Sequence, residues 1–374
     1  MTGTHKLYVA TRKGLFTVVR DRGWRIAGLD FRGDNCSAVL EHPGTGALYA
    51  GLDHGHFGAK LHRSTDGGAN WQEIEAPRYP PKADDEEDWV DMHGRVIPHS
   101  LLRIWCLEAD HPDRPGGIWC GTIPGGLFHS DDGGDRWARI EGLWNHPLRR
   151  RWFGGGADYP GIHSVCLDPN DATCVRIAVS CGGVWESRDA GVTWDCLGEG
   201  WRAEFMPPEQ AADPAVQDVH RLVQSAASAD VLWAQHHNGI FRSTDGGRHW
   251  TELGDVSPSA FGFAVAVHPA DPDTAWFLPA EKDQRRMAVN GRLVVNRTRD
   301  GGRGFETLSH GLPAEHAYDL VYRHGLDVDA TGESLAFGST TGSLFVSEDA
   351  GDHWQCLSAH LPPIHAVRFA PAAP

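Results

Sequence analysis

No apolar stretch in this 374-residue chain approaches the ~18 residues that a membrane-spanning helix needs, so no helical span is expected. No basic run is long enough to suggest an anionic membrane partner. With 34 Lys and Arg against 50 Asp and Glu, the net charge of −16 argues against a non-specific nucleic-acid binder and against an anionic membrane partner. The N-terminal residues enter a strand pattern directly, without the apolar core of a secretion signal. The eight Cys show no regular spacing, so they read as reduced core thiols, and the expected location is the cytoplasm. One pair, Cys166 and Cys174, is spaced to face across a hairpin, which leaves an oxidised compartment open. No local metal motif of the His-Glu-x-x-His kind occurs, so a metal site has to be assembled by the fold.

What the chain has in abundance is turns: 45 Gly and 23 Pro, with 15 Trp to fill a large core. Six times it writes one octet, Ser/Thr-x-Asp-x-Gly-x-x-Trp/Phe. The copies are Ser64–Trp71, Ser130–Trp137, Ser187–Trp194, Ser243–Trp250, Thr298–Phe305 and Ser347–Trp354. Their aspartates recur every 49 to 66 residues, a period that marks a repeat architecture. Because the repeats run almost end to end, residues 1–374 read as one domain.

Each octet follows a short apolar run, such as Gly126–Ser130, with two further β-type runs before it, such as Ala264–Pro269 and Thr274–Phe277. A fourth short strand comes after it, such as Gln72–Ile74 or Thr251–Leu253. Four short strands per ~50 residues make one propeller blade. The octet then spans the turn between the third and fourth strands: Ser and Asp bond turn amides, Gly takes positive φ, and Trp packs into the blade. Its role is structural. A seventh blade comes from the ends, with residues 6–29 supplying three strands and a degraded octet at Asp21–Trp24, and 363–370 the missing first strand. Pairing the C-terminal strand with the N-terminal ones removes an open sheet edge. The expected fold is all-β: a seven-bladed β-propeller of four-stranded antiparallel blades, its ring closed by the C-terminal strand.

The octets resemble the Asp-box (BNR) repeat of sialidases, larger glycosidase propellers, sortilin-type receptors and photosystem II assembly factors. Six copies across residues 36–357 make the resemblance specific for the repeat. It implies the fold and not the activity, because enzymes and binding proteins share the box. The Arg-Ile-Pro signature of sialidases is absent near the N-terminus, and seven blades depart from their six, so no sialidase site residue carries over. The large Asp-box glycosidases use two opposed Asp in a cleft between two propellers, whereas this chain has one propeller. The assembly factors are single seven-bladed propellers with a basic patch; this chain is acidic, so only their architecture carries over.

In such a blade the first strand starts on the face opposite the octets, and the loop between strands two and three returns there. Aligned across the blades, the first-strand starts read His365, Ser37, Trp105 or Cys106, His163, His220, Phe263 and Tyr318. The returning loops add His54 and His56, His236 and His237, and the insertion Glu281–Asn290 with Arg285 and Arg286. His163 and His220, with His236 or His237, are expected to converge at blades 4 and 5 as ligands of a divalent transition metal such as Zn, open to water in the fourth position. The alternative is that these imidazoles bond loop backbone and line a wet channel. Tyr318, Asp218 and Glu281 are the candidates for proton handling or for paired carboxylates. His54, His56, Arg285 and His365 are the candidates for ligand binding, with Arg285 or Arg286 gripping a carboxylate or phosphate.

Three long links, 75–101, 141–162 and 198–219, flank blades 3 to 5 and are expected to wall the top face there. The expected function is a His-rich top-face pocket for a small polar, anionic or glycan-like ligand. Metal-assisted or glycosidase-like hydrolysis or lysis is the chemistry considered. The alternative is a non-catalytic interaction or assembly scaffold with a protein partner.

Overall fold

Short β-rich runs separated by Gly and Pro turns cannot bury both faces alone, and here each blade buries its faces against its two neighbours. A computed structural model describes residues 5–82, 84–155 and 157–372. The first four residues, which belong to the N-terminal segment read above, lie outside the described residues, as do Ala83 and Gly156 in the long links. Among the described residues, seven four-stranded antiparallel sheets stand in a ring. The innermost strands are Ile364–Phe369, Asn35–Glu41, Arg103–Ala109, Ile162–Asp168, Val219–Gln224, Gly262–Val267 and Leu326–Val328. This is the seven-bladed propeller expected from the repeats. No described helix is long and apolar enough to cross a membrane.

The ring closes as the edge-strand argument requires. His5–Thr11 lies between Gly14–Arg20 and the C-terminal strand Ile364–Phe369, with Val9 opposite Val367 and Leu7 opposite Phe369. Blade 1 thus joins the first described residues to nearly the last, leaving no open inner edge.

All six octets adopt one hydrogen-bonded turn. In Ser187–Trp194 the Ser187 hydroxyl donates to Asp189 Oδ1 at 2.8 Å and accepts from the Gly191 amide at 2.8 Å. The Asp189 carboxylate accepts from the Thr193 amide at 2.8 Å, and Trp194 Nε1 donates to the Gly191 carbonyl. The other five repeat the Ser/Thr–Asp and Gly–Ser/Thr contacts. The glycines hold φ near +90°, a region closed to most side chains. Some octets also tie blades together. Arg63, Arg242 and Arg297 each donate to an octet carbonyl of the next blade: Gly133, Gly301 and Ala350 at 2.9, 3.1 and 2.8 Å.

Two expectations fail. All eight cysteines are free; Cys166 stands opposite Arg176 in its hairpin, so it does not face Cys174. In blade 7 the first strand is Leu326–Val328 and does not begin at Tyr318. Ala317, Leu320 and Val321 are apolar because they pack as a buried irregular connector, in which Asp319 binds the Ser339 and Thr341 hydroxyls at 2.6 Å each.

Candidate functional site

The first strand of six blades carries a β-bulge near its start. The ladder skips Ser37, Trp105, His163, His220 and His365, and in blade 6 it skips Phe263 with Ala264. A bulge adds a residue that opposes nothing on the partner strand and re-aims its side chain. The skipped residues are those that the alignment of first strands singled out. Their rings meet: Trp105 touches His163 with centroids 5.4 Å apart, and His220 stacks on Phe263 at 4.4 Å. Blade 7 has no such bulge in Leu326–Val328, and Arg323 and His324 reach the channel instead.

One hairpin of blade 5 gathers three donors. Asp218 sits just before the strand Val219–Gln224, His220 is its bulged residue, and His237 follows the paired strand Leu232–His236. His220 Nε2 and His237 Nδ1 lie 3.4 and 3.3 Å from Asp218 Oδ2, and all three donor atoms fall within 4.8 Å of one another. Charge-assisted N–H···O bonds are shorter, about 2.7–2.9 Å. The edge of a tetrahedral site with bonds of about 2.0–2.1 Å is about 3.3 Å. The two spacings to Asp218 Oδ2 match such an edge.

The surroundings fix the donors. His220 Nδ1 lies 2.7 Å from the Gly262 carbonyl, which holds the proton there and leaves Nε2 as the lone-pair donor. The His237 amide donates to the Asp218 carbonyl at 3.0 Å. Asp218 is 5% exposed, and its Oδ1 accepts no hydrogen bond. Burial by itself would raise the Asp218 pKa, but the charges of His220 and Arg323 and the His220 and His237 contacts hold it well below the usual carboxylate range. Burial lowers the His220 pKa, outweighing the neighbouring Asp218 charge. For His237 burial also lowers the pKa, but the Asp218 contact outweighs it and the net shift is upward. The buried Cys181 thiol beside this carboxylate is pushed well up, by burial first and then by that charge.

Aromatic rings fence the three donors. Phe205 and Phe261 lie 5.0 and 5.9 Å from His237. Above them runs the 141–161 link, where a Cβ on Gly155 would come within 2.3 Å of the Cys181 sulfur and 3.3 Å of Asp218 Oδ1. The links do pack on this side as expected. Arg149 lies over Trp144 and Trp89 at 3.6 and 4.3 Å, and Arg151 bridges to Asp213 of the third link at 2.5 Å. Beside them opens a groove of about 830 Å³ lined by Asp53, His93, Arg95, Arg103, Asp158 and Tyr159, among others.

Other candidates are placed elsewhere. His163 spends Nε2 on the Val219 carbonyl at 2.8 Å and Nδ1 on the Ser164 hydroxyl at 2.9 Å, so it has no lone pair left for a metal. His236 turns away because adjacent side chains leave a strand on opposite faces; it stacks on Trp201 at 5.2 Å, and burial drops its pKa to about 3. Tyr318 is 62% exposed on the irregular connector. Glu281 pairs with Arg285 at 3.2 Å, so neither is free; Arg286 pairs with Asp283 and lies 5.4 Å over Phe263. His54 caps the 3₁₀ turn Gly55–Phe57 of blade 2 and His56 lies within it, while His365 bonds Asn35 at 2.9 Å and lines the channel. Of the acids weighed as a glycosidase pair, Asp53 and Asp158 share the groove, but Asp53 is held by Arg103 at 2.7 Å.

Reading the sequence missed the channel arginines Arg103, Arg221, Arg323 and Arg368. For Arg323 the signal was hidden by a first strand placed too early in blade 7. The other three lie within one to three residues of aligned first-strand positions, where a bulge brings the flanking side chains inward.

No protein-family model matches the chain. A xyloglucanase of Hypocrea jecorina is 30% identical over 148 residues, covering 34% of this chain and 17% of that protein. An oligoxyloglucan-reducing end-specific xyloglucanase of Emericella nidulans is 29% identical over 288 residues, 70% of this chain and 33% of that protein. The chain thus spans a third or less of these curated relatives. Among solved structures, an ancestral GH74 enzyme superposes with a TM-score of 0.56 at 16% identity, covering 90% of this chain and 38% of that one. YCF48 from Cyanidioschyzon merolae superposes with a TM-score of 0.54 at 12% identity, covering 86% of this chain and 84% of that one. At these identities the likeness is one of fold.

Proposed function

We propose that the chain uses its top face to bind a small polar ligand at a divalent transition-metal centre of Asp218, His220 and His237. The carrying observation is the donor spacing of 3.3 and 3.4 Å around Asp218 Oδ2, with the outer nitrogen of His220 already committed to Gly262. Two imidazoles and one carboxylate leave coordination positions open, which favours catalysis over a purely structural role. A divalent metal held by Asp218, His220 and His237 would supply Lewis-acid chemistry, the basis of hydrolysis or lysis. The protein's own part is to fix the donors on one hairpin and exclude bulk water with Phe205, Phe261 and Phe263. Under this reading the six octets are Asp-boxes that set blade register on the far face.

A glycan ligand is the second reading, favoured by the xyloglucanase relatives and by the adjoining groove with Asp53 and Asp158. The scaffold role stands as the alternative to both. Calorimetric titration of chelator-treated protein with Zn²⁺ tests the metal reading. One ion bound by the wild type and lost in Asp218→Ala supports it; no stoichiometric binding overturns it. Hydrolysis of xyloglucan oligosaccharides by metal-free protein would favour the second reading.

A further inference from the structure

Four guanidinium groups line the central channel, and three have acceptors. Arg103 meets Asp53 at 2.7 Å, Arg368 meets Glu108 through Nη1 at 2.9 Å, and Arg221 donates to the His163 carbonyl at 3.1 Å and the Ser164 hydroxyl at 3.3 Å. Arg323 is different. It is 4% exposed, and its Nε and Nη2 donors are buried without an acceptor. Trp105 and Phe263 hold its guanidinium from either ring at 4.9 and 5.9 Å. Asp218 acts on it through space but forms no ion pair with it. A buried cation without a hydrogen-bonded counter-charge is costly, and an anionic ligand would offset that cost.

The cavity that Arg323 lines has the matching chemistry. It measures about 240 Å³, and its wall includes Arg103, Arg323, His324, His365, Ser37 and Tyr322. None of the described lining residues is acidic, in a chain whose net charge is −16. The space suits a compact ligand such as a small organic acid or phosphate ester. It shares Arg103 and Ala157 with the open groove, which gives a ligand its way in.

We propose that this channel cavity binds a compact oxyanion, the carboxylate or phosphate group of a small molecule, with Arg323 as its principal counter-charge. A planar guanidinium held against two rings loses little rotamer freedom on binding. Phe263 touches both Arg323 and His220, so an anion held here directs the rest of its molecule toward Asp218, His220 and His237. The inference rests on the top-face pocket but not on the metal.

The test is calorimetric titration of chelator-treated full-length protein at low salt, with inorganic phosphate and with succinate as probes. Saturable one-to-one binding of either probe is expected, weakened at least tenfold by Arg323→Met and less by Arg323→Lys. Binding of phosphate alone identifies a phosphate ligand; binding of succinate alone identifies a carboxylate. Arg136→Met, an exposed octet change, should leave binding unaltered; an equal loss there overturns the assignment. If Arg323→Met fails to fold, the emission of Trp105 against the cavity serves instead. It should change saturably with probe in the wild type and not in Trp105→Phe, and no saturable change with either probe overturns the proposal. Since no metal is present, this result and the Zn²⁺ result fail separately.

Discussion

His220 Nδ1 and the Gly262 carbonyl are 2.7 Å apart, so a bond between neighbouring blades decides which nitrogen of His220 faces Asp218. The orientation is built before any ligand arrives, because the bulge at His220 and the start of the next blade are both parts of the ring.

Three single changes separate the donors from their neighbours. Asp218→Ala and His237→Ala should each weaken Zn²⁺ beyond the roughly 100-fold that outer-shell changes reach. His163→Gln should keep the metal, since both of its ring nitrogens already serve the protein. Metal content per chain after dialysis reads all three; a His163→Gln protein stripped of metal would show the wrong donor set.

Acid should unfold the protein in part through His365. Burial first, then the nearby Arg103 and Arg12, drop its folded pKa to about 4 from an ordinary value near 6.5. The unfolded chain takes up this proton as pH falls through about 6.5, while the folded chain refuses it until about 4. Stability is therefore full above that window, is lost across it by up to roughly 3 kcal/mol, and levels off below. Urea unfolding of the wild type and His365→Gln from pH 7.5 to 4 should give a flatter curve for the variant; parallel curves refute the assignment.

Ser187→Ala removes a hydroxyl that both donates to Asp189 and accepts from the Gly191 amide in a buried turn. An unsatisfied buried amide costs about 1–3 kcal/mol. The loss should appear in denaturant midpoint with Zn²⁺ and phosphate affinities unchanged, because the octets lie on the opposite face. A coupled loss of ligand affinity would contradict that separation.

Two octets carry Ala where the others have Gly, and Ala190 and Ala350 hold φ of 58° and 56°. An L-residue in this region costs roughly 1–2 kcal/mol, against roughly 0.5–1 kcal/mol of extra chain entropy for Gly. Ala190→Gly should raise stability by about 0.5–1 kcal/mol. Ala350→Gly should gain less, since the Ala350 methyl packs against the core of blades 6 and 7. A fall in melting temperature for Ala190→Gly would show the methyl to be needed.

The octets were legible because their chemistry is local: Ser187, Asp189, Gly191 and Trp194 act within eight residues, so their spacing survives in the sequence. Asp218, His220 and His237 were each visible, and the blade register placed them near one another. Their grouping was not, because which neighbour of a bulge turns inward depends on the ladder, and His236 and His237 look alike until strand pairing puts them on opposite sides. Arg323 was hidden by an apolar connector, Ala317–Val321, that imitates a strand in sequence and packs like one without pairing as one.

The repeated bulge has a consequence for how such a ring changes over time. A residue in the ladder is judged by two partners, so replacing it disturbs a sheet. Ser37, Trp105, His163, His220 and His365 are excused from that judgement, and Ser37, Trp105 and His365 line the shared lumen like teeth in a jaw. Specificity can drift there one tooth at a time while the jaw stays the same, which makes the lumen the place to graft a new ligand onto this framework.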